Sequence, residues 1–104
     1  MNRAGQDVQI EAGPAGATVR GALTFQTARR ACAAGIGVFA ASTGALTVDL
    51  AAVAAADSAG LAVLIEWRRW AHLNGRRLGF ANLPAAISGL AKLSELDGVL
   101  ADAG

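Results

Sequence analysis

The chain has 104 residues, 54% of them hydrophobic and 16% charged, with a formal net charge of +1 and a single cysteine. That length suits one domain with one core, and the apolar share argues against a disordered chain. A charge so near zero, with no like-charged run longer than the pairs Arg29-Arg30, Arg68-Arg69 and Arg76-Arg77, excludes nucleic acid as the expected partner.

Much of the apolar count is alanine, so the core is expected to be thin, with few large side chains. The lone Cys32 has no internal disulfide partner, and Met1-Asn2-Arg3 leads into polar, Gly-rich sequence rather than a signal-peptide core. A reducing, cytoplasmic location is the expectation. The small apolar stretch from Ala31 to Ala41 is broken by glycines and falls short of the ~20 residues that span a bilayer. Direct membrane insertion is not expected, and work at a membrane would need a partner to hold the chain there.

In chain order, Val8 to Glu11 alternates and reads as a first strand, with Gly13-Pro14-Ala15-Gly16 turning into a second over Ala17 to Leu23. Thr24 is placed to cap a helix from Phe25 to Ala34, in which Phe25, Ala28 and Cys32 recur near helical spacing. Gly35 and Gly37 mark its expected end. A third strand follows at Leu46 to Leu50, and Ala51 to Ala56 reads as an Ala-rich connection. A long helix from Ser58 to Asn74 is closed by Gly75. Arg77 to Ala81 makes a fourth strand, and Pro84 suits the first turn of a last helix carrying Ile87, Leu90 and Leu93. The order β-β-α-β-α-β-α predicts an α/β fold. Its four-stranded mixed sheet has an antiparallel first strand and parallel right-handed crossovers between the rest.

The run Asp57-Ser58-Ala59-Gly60-Leu61 places a hydroxyl where a buried strand becomes an amphipathic helix. At 100° per residue, Gly60, Val63, Leu64, Trp67, Trp70 and Ala71 gather on the face expected to pack on the sheet. The opposite side carries Ser58, Leu61, Ala62, Ile65, Arg68, Arg69 and His72. Apolar groups that exclude water beside Arg forks that bind carboxylates suit a protein partner. Plainer readings stand beside this one. Isolated exposed Leu and Ile are common, Leu61 lies near the core edge, and a Ser at a helix start is most often a cap worth ~1 kcal/mol.

Other chemistry finds little support. His72 is the only histidine and has no ligand-spaced Cys or His beside it, so no metal is expected. Asp49 and Asp57 form a carboxylate pair on paper, but no base or nucleophile triad assembles around them. The segments Gly13 to Gly16 and Gly35 to Gly37 lack the Lys-Ser/Thr and the spacing of nucleotide-binding loops. Trp67 and Trp70, at helical spacing, suit core packing better than base stacking.

Val48-Asp49-Leu50, a short connection and Asp57-Ser58-Ala59-Gly60-Leu61 resemble the STAS domain shared by anti-sigma factor antagonists and transporter-associated proteins. The resemblance spans roughly Val8 to Leu100. Within that family, Asn82-Leu83-Pro84-Ala85 followed by Leu90-Ala91-Lys92-Leu93-Ser94-Glu95-Leu96-Asp97 is similar to the small STAS subunits of Mla-type phospholipid ABC transporters. It implies a non-enzymatic, cofactor-free subunit that sits on the cytoplasmic ATPase subunit, in service of lipid asymmetry, and is held at the inner membrane through that partner. It implies partner contacts at Asp57, Ser58, Leu61, Ala62, Ile65, Arg68 and Arg69. Ser58 matches a position phosphorylated in anti-sigma factor antagonists and used for partner contact in the transporter subunits. The alternative it leaves is therefore an antagonist whose partner, a serine kinase and anti-sigma factor, phosphorylates Ser58. The Gly35-Ile36-Gly37 region and the short Gly-rich C-terminus depart from longer relatives, so a final helix or strand is expected to be absent.

Overall fold

A computed structural model describes residues 7–93. Strands β1 (Val8–Gly13) and β2 (Gly16–Leu23) form the opening hairpin, antiparallel from Val8↔Gly21 to Gly13↔Gly16. After helix α1 (Ala28–Ala40), strand β3 (Leu46–Ala56) pairs parallel with β2. Helix α2 (Ser58–Leu73) leads to β4 (Leu78–Ala81), parallel with β3, and α3 (Ala85–Leu93) follows. The sheet order is β1-β2-β3-β4, the expected mixed four-stranded α/β arrangement.

Alternation places the core on one sheet face. Ala17 and Val19 of β2, Leu46, Val48 and Leu50 of β3 and Leu78 of β4 are buried, whereas Arg20 and Thr47 on the other face are exposed. Helices α1 and α2 close over the apolar face, contributing Ala31, Phe39, Val63, Leu64, Trp67 and Ala71 to one continuous cluster. Trp67 lies at its centre, fully buried, with Phe39 edge-on at 5.5 Å and its indole Nε1 donating to Cys32 O at 3.2 Å. The core is thin, as the alanine content implies, and this one indole fills much of it.

Several boundaries differ from those expected. Helix α1 begins at Ala28, with Thr27 rather than Thr24 as its flanking residue, and it runs through both glycines to Ala40. Thr27 is buried; its Oγ1 donates to Ala22 O at 2.7 Å and accepts from Thr24 N at 3.0 Å, which ties residues 24–27 into a turn ahead of the helix. Gly35 is a packing site, not a stop: a Cβ there would meet Trp67 Cε2 at 2.5 Å. The helix accepts a helix-interior glycine, at about 1 kcal/mol relative to Ala, because the indole packs directly on its backbone.

Residues 51–56 are strand, not connection. Ala52, Val53, Ala55 and Ala56 pair with Arg20, Gly21, Ala22 and Leu23 across two register shifts, so neighbouring backbone overrides the weak strand preference of alanine. In α3 the buried residues are Ile87 and Ala91, one turn apart, while Leu93 is 86% exposed and lies off the expected face. Trp70 is only half-buried, against Phe39 and beneath the Arg76 guanidinium. The Ser94 to Asp97 segment and the expected missing terminal element lie outside the described residues.

Candidate functional site

The parallel strands β2 and β3 end side by side, and α1 and α2 start from there. In α/β sheets this carboxyl edge is where ligands and partners are commonly met. Asp57 organises it. Its Oδ1 accepts from Ala59 N at 2.9 Å and Gly60 N at 3.2 Å, capping α2, while its Oδ2 accepts from Phe25 N at 3.1 Å. One carboxylate therefore fixes the first turn of α2 to the turn before α1. Its own N–H donates to Leu23 O at 3.2 Å, and Gly60 presses so closely on the end of β2 that a Cβ would collide with Leu23 O.

This arrangement decides the plain reading of Ser58. The cap is Asp57, so the Ser58 hydroxyl has no capping duty; the residue is exposed and its Oγ makes no hydrogen bond among the described residues. Phe25, whose N–H the Asp57 carboxylate holds, is 83% exposed. The sequence reading put Phe25 inside a helix; the Thr24–Thr27 turn instead holds it outside, in solvent. The signal that would have found it is the spacing of Thr24 and Thr27, which favours a side-chain-closed turn over an earlier helix start.

The rest of the expected contact set divides. Ala62 and Arg69 are exposed, with Arg69 Nη1 3.7 Å from Glu66 Oε2. Leu61 is a correction: at 6% exposure it belongs to the core cluster, because the buried arc of α2 spans Gly60, Leu61, Val63, Leu64, Trp67 and Ala71 and is wider than a single projected stripe. Ile65 is half-buried against that cluster, and Arg68 is half-buried with its Nη1 enclosed and unbonded among the described residues. The outward stripe of α2 is thus Ser58, Ala62, Glu66, Arg69 and the 67% exposed Leu73, with His72 exposed beside it, and Ala62 and Glu66 face α1 across a groove.

Between the two helices lies an open, mainly apolar groove of about 500 Å³, lined by Ala28, Arg29, Cys32 and Ala33 of α1 and by Ala59, Ala62, Val63 and Glu66 of α2. Burial, and then the Glu66 carboxylate, push the Cys32 thiol above its usual pKa. Asp49 does not join Asp57. Eight residues up β3, about 25 Å by strand rise, it accepts from Asn82 Nδ2 and Ala51 N, both at 2.9 Å; the Asn82 bond first and the Ala51 bond second hold its carboxyl below the usual range. The carboxylate pair conceivable on paper is two separate structural bonds. Among the described residues no helix is long and apolar enough to cross a membrane, and no three His, Cys, Asp or Glu residues gather as a metal site.

No curated protein matches the chain. Among solved structures it is similar to the anti-sigma factor antagonist SpoIIAA in its unphosphorylated form, at a TM-score of 0.60 and 14% identity over 83% of this chain and 82% of that one. A likeness at that identity shows the fold. The family comparison is more specific, matching residues 7–101 to the Mlab STAS domain. With nearly its whole length matched and the hairpin, sheet order and capped α2 in place, the chain belongs to the Mlab STAS domain family.

Proposed function

We propose that the chain is a single-domain, non-enzymatic accessory subunit that binds the cytoplasmic ATPase of an Mla-type phospholipid ABC transporter. Contact is made through Ser58 and the outward stripe of α2, and the ATPase holds the subunit at the inner membrane. The observation that carries this reading is the division of labour at the start of α2. Asp57 takes over the cap and leaves Ser58 exposed, and the same carboxylate holds the N–H of the exposed Phe25, so one fixed edge displays both a free hydroxyl and an aromatic residue. Buried aromatic anchors beside polar contacts are the usual energetic centre of protein interfaces. Membership of the Mlab type supports the choice of an ABC transporter.

The same geometry bears on the antagonist alternative. Helix N-termini favour phosphate, but Asp57 Oδ1 already occupies the Ala59 and Gly60 amides, and its charge would face a phosphate on Ser58. The arrangement supports a contact residue over a phosphoryl switch. The test is affinity capture of tagged protein from its native cell extract with a parallel Ser58→Glu control. Recovery of an ABC ATPase and permease, lost in the control, is the expected result. Recovery of a serine kinase instead, with Ser58→Ala retained in the complex but insensitive to ATP-dependent release, would replace this reading with the antagonist.

A further inference from the structure

The groove between α1 and α2 is built from small side chains at helical intervals. Ala28 and Cys32 are one turn apart on α1, and Ala59, Ala62, Val63 and Glu66 follow successive turns of α2. Two parallel rows of this kind leave room between them for the larger side chains of a third helix, packed as ridges into grooves. The lining on α2 covers eight residues, about 12 Å or two turns by helix rise. Ala59 and Ala62 also make the groove continuous with the Ser58 edge.

Charge selects the occupant further. Glu66 is engaged by Arg69 at 3.7 Å and Arg30 by Asp7 at 2.6 Å, whereas Arg29 on the rim has no ion pair among the described residues. The rim therefore carries both charges, the Glu66 carboxylate on the α2 side and, on the α1 side, the Arg29 guanidinium, which is free to take a carboxylate of the partner. Cys32 is half-buried and serves as lining.

We propose that this groove receives an amphipathic helix of the partner, with two or three large apolar side chains set between α1 and α2 and an acidic residue reaching Arg29. The inference rests on the accessory-subunit reading and names the segment of the ATPase that this surface would take.

Cys32 is the chain's one thiol, so its alkylation rate reports whether the groove is filled. The experiment follows iodoacetamide labelling of the full chain by mass spectrometry under four conditions. These are a purified Mla-type ATPase subunit from the same cells, a helix-stabilised peptide bearing Leu at i, i+3 and i+7 flanked by Glu, the same peptide flanked by Lys, and vesicles of phosphatidylethanolamine and phosphatidylglycerol. The expected result is at least tenfold protection by the ATPase and by the Glu peptide, and less by the Lys peptide. Ala62→Trp, which fills the groove from an exposed position, should weaken ATPase binding at least tenfold at an unchanged melting temperature, and Arg29→Glu should reverse the peptide preference. ATPase binding that is lost in Ser58→Glu but intact in Ala62→Trp, with Cys32 unprotected, would overturn the groove assignment and leave the accessory-subunit reading standing. Protection by vesicles alone, or by raising the concentration of the chain itself, would overturn it in favour of lipid or a second copy. A wild-type chain that fails to bind the ATPase would remove the accessory-subunit reading, and the Glu peptide's failure to protect Cys32 would then remove the groove assignment as well.

Discussion

The two ends of α2 use their polar groups in opposite ways. At its C-terminal end, Arg76 turns inward: it donates to Phe39 O at 2.6 Å, Gly44 O at 2.9 Å and Ser42 Oγ at 3.1 Å, and lies 5.7 Å over the Trp70 ring. That one guanidinium closes the carbonyl end of α1, which has no basic residue of its own in the last turn. At the N-terminal end, Asp57 does the equivalent work, and the residues beside it are left over. The side chains of Ser58 and Phe25 are exposed with no bond to make within the described fold, although the Phe25 N–H is held by Asp57. The difference teaches where function can reside. Exposed groups at a tightly bonded edge are displayed on a rigid base, whereas those at the Arg76 end are consumed by the fold.

Between the two ends stands Trp67, and its loss should erase the distinction. Trp67→Ala is expected to cost about 3–5 kcal/mol, melting both ends together in a single thermal transition followed by circular dichroism. Ile65→Asp comes next. The sequence placed Ile65 on the solvent side and implied an intact fold, but its packing against the core predicts a loss of about 1–3 kcal/mol from burying part of a carboxylate. Urea melts check it, and a stability equal to wild type would restore Ile65 to the free surface. Arg76→Ala removes bonds and ring stacking at the inward end alone. A loss of about 1–2 kcal/mol is expected, with faster amide exchange in residues 38–44 and unchanged partner affinity. At the outward end, Phe25→Ala should change stability by no more than about 0.5 kcal/mol, while weakening ATPase binding tenfold or more by calorimetry. A reversal of the last two results, with Arg76 needed for binding and Phe25 for folding, would break the comparison outright.

The sequence was most legible where periodicity and punctuation agree. The hairpin glycines, the alternation through Leu46 to Leu50, and the long run closed by Gly75 at φ 66° placed β1, β2, β4, α2 and the start of β3 within a residue or two, though not the end of β3, and the order of elements carried the sheet. It was least legible where a tertiary partner outvotes local preference. Nothing near Gly35 announces that an indole 32 positions later will need its missing Cβ, and nothing in Ala51 to Ala56 announces the strand partner across β2. The site was half legible for a related reason. Asp57 and Ser58 were found together, but which of them caps α2 depends on how both side chains point. Leu61 and Phe25 exchanged places relative to expectation because a helical wheel cannot say how close a first turn lies to the sheet, or that a turn precedes the helix.

The central claim is that the outward end of α2 is the partner surface. Its most direct measurement is the dissociation constant of the purified ATPase subunit for wild type and Ser58→Glu, with melting temperatures taken on the same samples. The account predicts a loss of at least tenfold, about 1.4 kcal/mol, with melting unchanged because Asp57 keeps the cap. Equal affinity for the two forms, at equal stability, would contradict it.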